Sequence, residues 1–492
     1  MTDLPARGQM LDVVIVGAGV VGCATARELS RYRLNVAVCE RVAEASQGGP
    51  TKANTGIVHA GYDPIPGTLM ARLNVRGNAM YDQLTEDLGV HMERHGTLVV
   101  AFSPSERGHL EELLARGRAN GVPGLRILER SELMELEPNL SPEADSALFA
   151  ATGGTVEPYE LTLALAENAA LNGVEFLFEH PVRSLEAIPG GWRVNAGERV
   201  LETRFVVNAA GLFVDDVSRM AGAGDFHIHP RQGQYLLLED RADYDVQHPV
   251  FQVPTPMGKG IVISRTPDGN IIAGPTADDV QDKDELATTA DGLARVLAGA
   301  RKSIPCLDTR QLVAEFTGAR AVIVGHDDFL VEQGAPGFFN AAGIKSPGLT
   351  AAPAIAEELV LLLKGAGLGT TRNPAFIPIN ARVPLFRECS PEQQKRMIAE
   401  DPRYGRIVCR CETVTEGDVV RAIHRPVGAR TVDGLKFRTR AGMGRCQGGF
   451  CGPRVLDILC RELGLDPLSV TKRGAGSEIL AGRLRPEGEG DA

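Results

Sequence analysis

The sequence predicts an α/β fold in which a parallel sheet is assembled from separated segments, with an inserted antiparallel β domain and a small C-terminal domain. Three observations predict it. Residues 11–40 follow a strand, glycine turn, helix and strand pattern, residues 231–276 alternate like antiparallel strands, and two close cysteine pairs lie beyond residue 405. At 492 residues, the chain is long enough for two or three domains.

The opening segment, LDVVIVGAGVVGCATARELSRYRLNVAVCE, has the pattern of a nucleotide-binding unit. After the apolar run 13–16, Gly17, Gly19 and Gly22 have GxGxxG spacing, which lets a backbone turn approach a pyrophosphate at the N-terminus of the next helix. Glu40 lies where an acidic side chain can accept hydrogen bonds from a ribose. The segment therefore predicts a Rossmann-like dinucleotide site, with an ordinary strand-turn-helix as the alternative.

Later segments are predicted to return to this opening sheet. The apolar run 205–210, which ends at Gly211, and the sequence FFNAAG at 338–343 have the form of strands followed by glycine. Between them, GQYLLLE, HPVFQVP, GKGIVIS and NIIAGPT predict antiparallel strands, and residues 282–302 are predicted to be helical. So distant a return to the sheet favours a flavin domain over a nicotinamide domain.

Charge and hydropathy exclude several classes of protein. The net charge of −11 argues against general nucleic-acid binding, although 16 Lys and Arg outnumber 11 Asp and Glu from residue 403 onwards, which marks a separate C-terminal module. No apolar run approaches the ~20 residues of a membrane span, and the first ten residues contain no apolar signal core. We expect a cytoplasmic protein without a transmembrane segment, with peripheral contact at a membrane left open.

The four paired cysteines predict a metal centre. Cys409 and Cys411 form CxC, and after a gap of 34 residues Cys446 and Cys451 form CxxxxC. Four thiolates suit zinc or an iron–sulfur cluster, and structural zinc more often has CxxC pairs. The glycines between 442 and 452 expose backbone amides that can donate to cluster sulfurs, and the neighbouring Arg410 and Arg445 can offset negative charge. Zinc and a vestigial site remain the alternatives.

Seven blocks of the sequence resemble a known family. They resemble the FAD-dependent glycerol-3-phosphate oxidases and dehydrogenases of the D-amino-acid-oxidase superfamily across about residues 10–365. The blocks are VIVGAGVVGCATARELS, TKANTGIVHAGYDPIPGTL, RQGQYLLL, VPTPMGKGIVIS, GNIIAGPTA, FTGAR and AAGIKSPGLTAAPAIAEELV. The branch that oxidises 2-hydroxyglutarate has a similar NTGIVHAG-like segment. Residues 405–460 resemble the bacterioferritin-associated-ferredoxin-like domain, which carries a [2Fe-2S] cluster.

The resemblance implies a domain organisation. It predicts a discontinuous α/β FAD-binding Rossmann-like domain from about 1–62, 155–225 and 325–370, with an inserted antiparallel β substrate domain from about 63–154 and 226–324. A linker at 371–404, a small C-terminal iron–sulfur domain at 405–460 and an extension at 461–492 complete the prediction.

The resemblance also implies roles for individual residues. His59 of the HAG segment is the expected catalytic base, because a neutral imidazole can take the proton of an alcohol during hydride transfer. Lys259 of GKG and Arg320 of FTGAR are expected to hold an anionic substrate, with Ser346 as a polar contact. The implied FAD-binding residues are Gly17, Gly19, Gly22, Glu40, Arg41, Thr51, Asn54, Thr55, Gly211, Gly343, Lys345, Ser346, Gly348, Leu349 and Thr350.

Together, a flavin and a one-electron cluster predict a dehydrogenase with an onward electron path. The expected reaction is oxidation of sn-glycerol 3-phosphate to dihydroxyacetone phosphate, with electrons leaving through the [2Fe-2S] cluster to an external acceptor such as a quinone or another subunit. The alternatives are a flavoenzyme acting on a 2-hydroxy acid or an amine, and a non-catalytic electron-transfer subunit.

Overall fold

A computed structural model describes residues 10–239, 245–254, 260–381 and 383–483. Its helices are α1 (Val20–Ser30), α2 (Leu69–Leu88), α3 (Arg107–Ala119), α4 (Arg130–Leu136), α5 (Pro158–Leu171), α6 (Val214–Met220), α7 (Ala290–Ser303), α8 (Gly348–Gly365), α9 (Pro391–Glu400), α10 (Glu416–Ile423), α11 (Val432–Thr439) and α12 (Gly452–Leu463).

The strands of the described residues fall into four sheets. In chain order they are β1 (Leu11–Val16), β2 (Val36–Cys39), β3 (Ile57–Val58), β4 (Met92–Glu93), β5 (Thr97–Ala101), β6 (Leu125–Glu129), β7 (Ser146–Ala150), β8 (Gly154–Val156), β9 (Glu175–Leu177), β10 (Val182–Ile188), β11 (Gly191–Ala196), β12 (Arg199–Asn208), β13 (Ile228–Leu238), β14 (Val250–Gln252), β15 (Val262–Arg265), β16 (Ile271–Gly274), β17 (Asp278–Asp279), β18 (Leu312–Ile323), β19 (Leu330–Ala335), β20 (Phe338–Ala342), β21 (Ile407–Cys409) and β22 (Val414–Thr415).

The first sheet is built around β1, whose short apolar sequence is buried on both faces. β1 lies between β2 and β12 and runs parallel to both. β20 pairs in parallel with the C-terminal residues of β12, Val206 to Asn208. The predicted return of residues 205–210 and of FFNAAG to the opening sheet is therefore confirmed. Helices α1, α2, α5 and α8 cover one face of this sheet in a common apolar core.

The second sheet contains the strands predicted between residues 231 and 276. Its order is β17-β13-β16-β15-β14-β5-β7-β6, with β18 also paired along β13. The pairing is antiparallel as predicted, except that β14 runs parallel to β5. The small sheet β3-β8-β4 contributes Val58 to the core of the first sheet and Ile57 to a core shared with the second sheet. His59, which follows β3, therefore lies where the two larger sheets meet.

Two segments differ in detail from the sequence-based expectations. The helix predicted at 282–302 begins only at α7, because Thr289 caps its first turn by accepting a hydrogen bond from Gly292 N, and Lys283 is held by Asp215 and Asp216 instead. Helix α2 packs on α8 and shares the core of the first sheet, although residues 63–154 were assigned to the substrate part. The domain boundaries themselves stay predictions.

Residues 408–470 form a separate hydrophobic core, and this C-terminal part packs against the domain that contains the first sheet. Helices α10, α11 and α12 pack with β21 and β22 around residues such as Val419, Leu435 and Leu459. Across the boundary, the guanidinium of Arg438 binds the carboxylate of Glu44 at 2.8 Å with both side chains buried. Within the described ranges, no helix combines the length and the apolar character needed to cross a bilayer.

Candidate active site and metal centre

A cavity of about 1100 Å³ lies between the two large sheets, at the carboxyl ends of β1, β2 and β12. It exceeds the ~300–1,000 Å³ of ordinary small-molecule pockets, so a dinucleotide and a small substrate can share it. The predicted residues that line it are Gly17, Gly19, Glu40, Arg41, Thr51, Asn54, Thr55, His59, Gly211, Arg320, Lys345, Ser346, Gly348 and Leu349. Gly22, Gly343 and Thr350 lie behind its wall, and Lys259 falls outside the described residues.

The glycine turn is closely packed where the sequence predicted it. Gly17 has a φ of +104°, and a Cβ atom there would lie 2.6 Å from the carbonyl oxygen of Ala209. A Cβ on Gly22 would lie 1.9 Å from the carbonyl oxygen of Gly17, so this glycine lets α1 approach the turn. Gly19 precedes the first turn of α1 at the cavity wall. The arrangement fits a pyrophosphate held at a helix N-terminus.

Glu40 follows β2 and is buried beside this turn. Its carboxylate accepts hydrogen bonds from Ala18 N at 2.7 Å and from Val42 N at 3.1 Å, so it also fixes the backbone of the glycine turn. Burial raises the pKa of Glu40, and the two amides oppose that rise. The remaining acceptor capacity of the carboxylate fits a ribose hydroxyl at the cavity wall.

The loop after Glu40 is held by its own polar side chains. Thr51 Oγ1 accepts from Val20 N at 3.2 Å and so joins the loop to the start of α1. Asn54 donates to the carbonyls of Pro50 and Thr51 and accepts from Gly56 N. These contacts hold the loop in place at the part of the cavity wall where the dinucleotide is expected, without help from a ligand.

The far end of the cavity is formed by the segment between β20 and α8. Lys345 forms an ion pair with Asp327, and Leu349 O accepts from Tyr81 Oη at 2.6 Å. Gly343, at a φ of +65°, lies against Ile323 rather than facing the cavity. This segment brings Ser346 and the N-terminus of α8 to the cavity wall.

His59 is fixed on both sides of its backbone. Its N–H donates to Thr350 Oγ1 at 2.9 Å, and its carbonyl accepts from the side-chain amides of Asn74 and Asn78 at 2.9 and 3.0 Å. The ring faces the cavity, where Nε2 lies 3.1 Å from Ser346 Oγ. The structure therefore brings together two residues that are 287 positions apart in the sequence.

Arg320 enters the same cavity from β18. In the antiparallel register its neighbour on β13 is Arg231, which is bound by Asp279 at 2.6 Å. Tyr235 hydrogen-bonds Arg320, but no carboxylate among the described residues pairs with it. A cation in a cavity wall without a carboxylate partner is suited to an anionic ligand.

Several residues that shape the site had no role in the sequence-based prediction. Phe251 packs against the His59 ring with centroids 5.8 Å apart, and Tyr235 contacts Arg320. Asn74 and Asn78 also stand out, because they place two amides four residues apart on the buried face of α2. Buried amides require partners, so that spacing was a usable signal.

The four predicted cysteines come together as two pairs. The sulfurs of Cys411 and Cys446 are 3.7 Å apart, and Cys409 contacts Cys451. A tetrahedral metal with bonds of about 2.3 Å holds two thiolates about 3.8 Å apart. Two separate pairs fit two irons that take two thiolates each, whereas a single zinc ion requires all four thiolates at that spacing.

Backbone amides of the glycine-rich loop surround these sulfurs as predicted. Contact with Cys451, followed by the amides of Gly442 and Glu412, lowers the pKa of Cys409 to about 5. The amide of Phe450 lowers the pKa of Cys446. The thiolate is the metal-binding form of cysteine, and one sulfur of each pair favours it, while the hydrogen bond within the pair raises the pKa of the partners Cys451 and Cys411. Of the two arginines predicted to offset cluster charge, Arg445 is bound instead by Glu239 at 2.8 Å.

Comparisons with known proteins agree with this geometry. Residues 12–362 match the FAD dependent oxidoreductase family, and residues 407–461 match the BFD-like [2Fe-2S] binding domain. A glycerol 3-phosphate dehydrogenase from Caloramator mitchellensis is 44% identical over 97% of this chain and 100% of that protein. An L-2-hydroxyglutarate dehydrogenase from Caenorhabditis elegans is 32% identical over 56% of this chain and 64% of its own length.

A solved structure shows the same fold. The dithionite-reduced L-alpha-glycerophosphate oxidase from Mycoplasma pneumoniae, with FAD bound, superposes with a TM-score of 0.73 at 33% identity. The superposition covers 76% of this chain and 99% of the oxidase chain. The chain belongs to the FAD dependent oxidoreductase family and carries a C-terminal BFD-like [2Fe-2S] binding domain, and the relatives named above that it resembles include a glycerol 3-phosphate dehydrogenase and a glycerophosphate oxidase.

Proposed function

We propose that this enzyme oxidises sn-glycerol 3-phosphate to dihydroxyacetone phosphate, with electrons leaving through the [2Fe-2S] cluster to an external acceptor. The observation that carries the proposal is the shared cavity in which a fixed His59–Ser346 pair meets Arg320, a cation without a described carboxylate partner. The 44% identity to a glycerol 3-phosphate dehydrogenase over nearly the whole chain supports the same substrate.

The chemistry assigned to His59 is removal of the substrate hydroxyl proton. Bound FAD supplies the two-electron acceptor for this oxidation. His59 Nε2 takes the proton, because its backbone is held by Thr350, Asn74 and Asn78 and its ring faces the cavity. In the resting site Nε2 lies 3.1 Å from Ser346 Oγ, and the substrate hydroxyl takes the place of this contact when it gives its proton to Nε2.

Arg320 is assigned to the phosphate of the substrate. Its planar guanidinium can form two parallel hydrogen bonds to a phosphate, and the contact with Tyr235 orients it. Lys259 is proposed as the second cation from the sequence alone. The other predicted FAD contacts along the glycine turn, the loop at 41–55 and the segment at 343–350 are proposed on their positions around the cavity.

Replacing Arg320 tests this assignment. Arg320→Leu should raise KM for sn-glycerol 3-phosphate about thirtyfold or more, because a charge-assisted pair in a partly closed site is lost. Anaerobic reduction of the flavin by increasing substrate gives the KM-like constant directly. Arg295→Leu serves as the matched control, since Asp278 already binds that guanidinium. Unchanged KM in Arg320→Leu alongside a normal control would rule out Arg320 as the phosphate ligand.

A 2-hydroxy diacid is the second candidate substrate. Arg320 suits a carboxylate as well as a phosphate, and the similarity to an L-2-hydroxyglutarate dehydrogenase covers 56% of the chain. The same titration with L-2-hydroxyglutarate separates the two, because a phosphate site should give slow or absent reduction by the diacid.

A further inference from the structure

The cluster site has an inner and an outer pair of cysteines. Cys409 and Cys451 are buried, whereas Cys411 is exposed and Cys446 is half-buried. Because the outer pair is the part of the site nearest to solvent, an electron leaving the enzyme has its shortest route to a partner there.

The inner side of the same loops is occupied by contacts to the rest of the enzyme. Arg440 forms an ion pair with Asp268, in the turn between β15 and β16, and Met443 Sδ lies 3.8 Å from Tyr159 Oη. The surface around Cys411 and Cys446 is therefore the face of the cluster site left for an external protein.

Phe450 is the most exposed large hydrophobic side chain among the described residues, with 84% of its surface accessible. It lies between two cluster cysteines and its backbone amide donates to the sulfur of Cys446. The amide thus holds the backbone of Phe450 beside the cluster cysteines, and the phenyl ring projects into solvent there. Exposed aromatic side chains of this kind are typical anchors of protein interfaces.

The sequence around this phenylalanine is rich in arginine. The two cluster loops, 405–416 and 440–454, contain five arginines and two glutamates in a chain whose net charge is −11. Both glutamates are already paired, Glu412 with Arg440 and Glu416 with Arg406. Arg440 and Arg445 are also bound by Asp268 and Glu239, so the positive charge of these loops lies on Arg410 and Arg454, which form no ion pair with a carboxylate among the described residues.

Four residues define this surface, which we call the cluster rim: Ile407, Arg410, Phe450 and Arg454. Arg410 and Arg454 are exposed, and Arg454 donates to the carbonyl of Ile407 at 2.9 Å. Each member lies within three residues of a cluster cysteine. Arginine and phenylalanine together have the composition of a protein interface rather than of an ordinary solvated surface.

We propose that the cluster rim is the docking site of a small acidic one-electron carrier protein. This inference rests on the proposed outward electron path but not on the identity of the substrate. An alcohol that becomes a ketone releases two electrons and two protons, so two oxidised carriers each accept one electron at the rim per substrate turned over. Attraction between the basic rim and an acidic carrier speeds the encounter, and Phe450 fixes the docked orientation.

Charge and shape favour this occupant over two others. A rim-to-rim contact between two copies of the chain would bring arginines against arginines in a symmetric interface. A membrane would require a wider apolar face, but the apolar face of α12, including Val455, Ile458 and Leu459, is buried in the domain core.

Binding to a charge-matched probe tests the proposal without turnover. The probe is oxidised cytochrome c whose lysines have been succinylated, and native basic cytochrome c has the same haem with opposite charge. Calorimetry with the oxidised holoenzyme should detect binding of the succinylated form only, and that binding should weaken as salt rises. Phe450→Ser should weaken it about tenfold or more, and Arg410→Gln about threefold with a smaller salt dependence.

Matched controls come from exposed residues elsewhere. Leu361→Ser on α8 removes another exposed apolar side chain, and Arg310→Gln removes another exposed arginine, so both should bind the probe like the parent. Phe450→Ser should keep the parent's rate of flavin reduction by substrate and of dichlorophenolindophenol reduction, and should reduce limiting succinylated cytochrome c about tenfold more slowly than the parent.

Several results would overturn the proposal. Equal binding of both cytochromes, or equal losses in the rim and control variants, would show that the rim does not select an acidic carrier. Dimers that dissociate in Phe450→Ser would make the rim an interface between copies. Co-sedimentation with phosphatidylglycerol vesicles that is lost in Phe450→Ser, without cytochrome binding, would make it a membrane contact. If glycerol 3-phosphate fails to reduce the flavin, only the proposed function is contradicted, because binding of the succinylated cytochrome c does not depend on the substrate.

Discussion

At the scale of single residues, the site is organised around His59. The sequence predicted it from the HAG segment, and its contact with Ser346 had to come from the fold, because the two residues are 287 positions apart. The same holds for Asn74 and Asn78, which fix the His59 carbonyl from α2. Residue type and spacing can nominate a base, but only packing shows what orients it.

Replacing His59 separates binding of the flavin from its reduction. His59→Gln should purify with FAD, because the contacts around the glycine turn are untouched, and should lose flavin reduction by substrate by a factor of about 100 to 10,000. Anaerobic stopped-flow spectroscopy measures the reduction rate. Thr289→Ser is the control, because Thr289 lies outside the cavity and serine retains the hydroxyl that caps α7. Its flavin should be reduced by substrate at the parent's rate. A His59→Gln enzyme that is reduced at the parent's rate would place the base elsewhere.

Some single-residue expectations depended on distant partners that sequence cannot reveal. Glu40 was predicted as a ribose acceptor, and its carboxylate also holds two backbone amides of the turn. Arg445 was predicted to offset cluster charge, yet Glu239 binds it across the domain boundary. Local spacing cannot predict which of several neighbouring carboxylates an arginine will meet.

At the scale of elements, the start of α5 joins three parts of the enzyme. Glu157 and Tyr159 lie at this helix start, and Tyr159 packs on Phe437 of α11 with centroids 5.2 Å apart. Burial, followed by the charge of Asp268, raises the pKa of Glu157 to about 8, and Arg440 opposes that rise. The carboxyl group is therefore protonated at neutral pH in the folded enzyme.

This shift predicts a pH-dependent stability. Between the unfolded pKa of about 4.3 and the folded value of about 8, the folded state binds a proton that the unfolded state lacks, so stability falls as pH rises through that window. Glu157→Gln, which stays neutral, should gain on the order of 1 kcal/mol or more relative to the parent between pH 5 and pH 8. Thermal unfolding at both pH values measures it.

Glu135→Gln on α4, which removes an exposed carboxylate far from this contact, is the surface control for this measurement. If Glu157→Gln behaves in the same way, the carboxyl group of Glu157 ionises normally in the folded enzyme.

Elements with a strong local pattern were predictable, and those fixed by tertiary contacts were less so. The opening strand, turn and helix follow from hydrophobic period and glycine spacing, both local properties. The helix predicted at 282–302 begins late because Lys283 is held by Asp215 and Asp216, which are far away in sequence. A linker is predicted at 371–404, and its first part, 371–381, lies along the first domain, where the Asn380 side chain donates to Ala164 O on α5.

At the scale of the whole molecule, the iron–sulfur domain is fixed to the flavoprotein rather than tethered to it. The buried Arg438–Glu44 pair and the Arg440–Asp268 pair join it to both large sheets. Composition and cysteine spacing predicted a separate module but not its position, because these contacts pair residues more than 150 positions apart. A fixed position keeps the cavity and the cysteine site at a constant separation, which the proposed electron path requires.

One measurement tests the central claim most directly. The purified holoenzyme is titrated anaerobically with sn-glycerol 3-phosphate, L-2-hydroxyglutarate and amino acids, and absorption follows the flavin while electron paramagnetic resonance follows the cluster. We expect sn-glycerol 3-phosphate alone to bleach the flavin, with a reduced-cluster signal appearing in the same titration. Bleaching by L-2-hydroxyglutarate or an amino acid instead, or bleaching by sn-glycerol 3-phosphate without any reduced-cluster signal, would contradict the account.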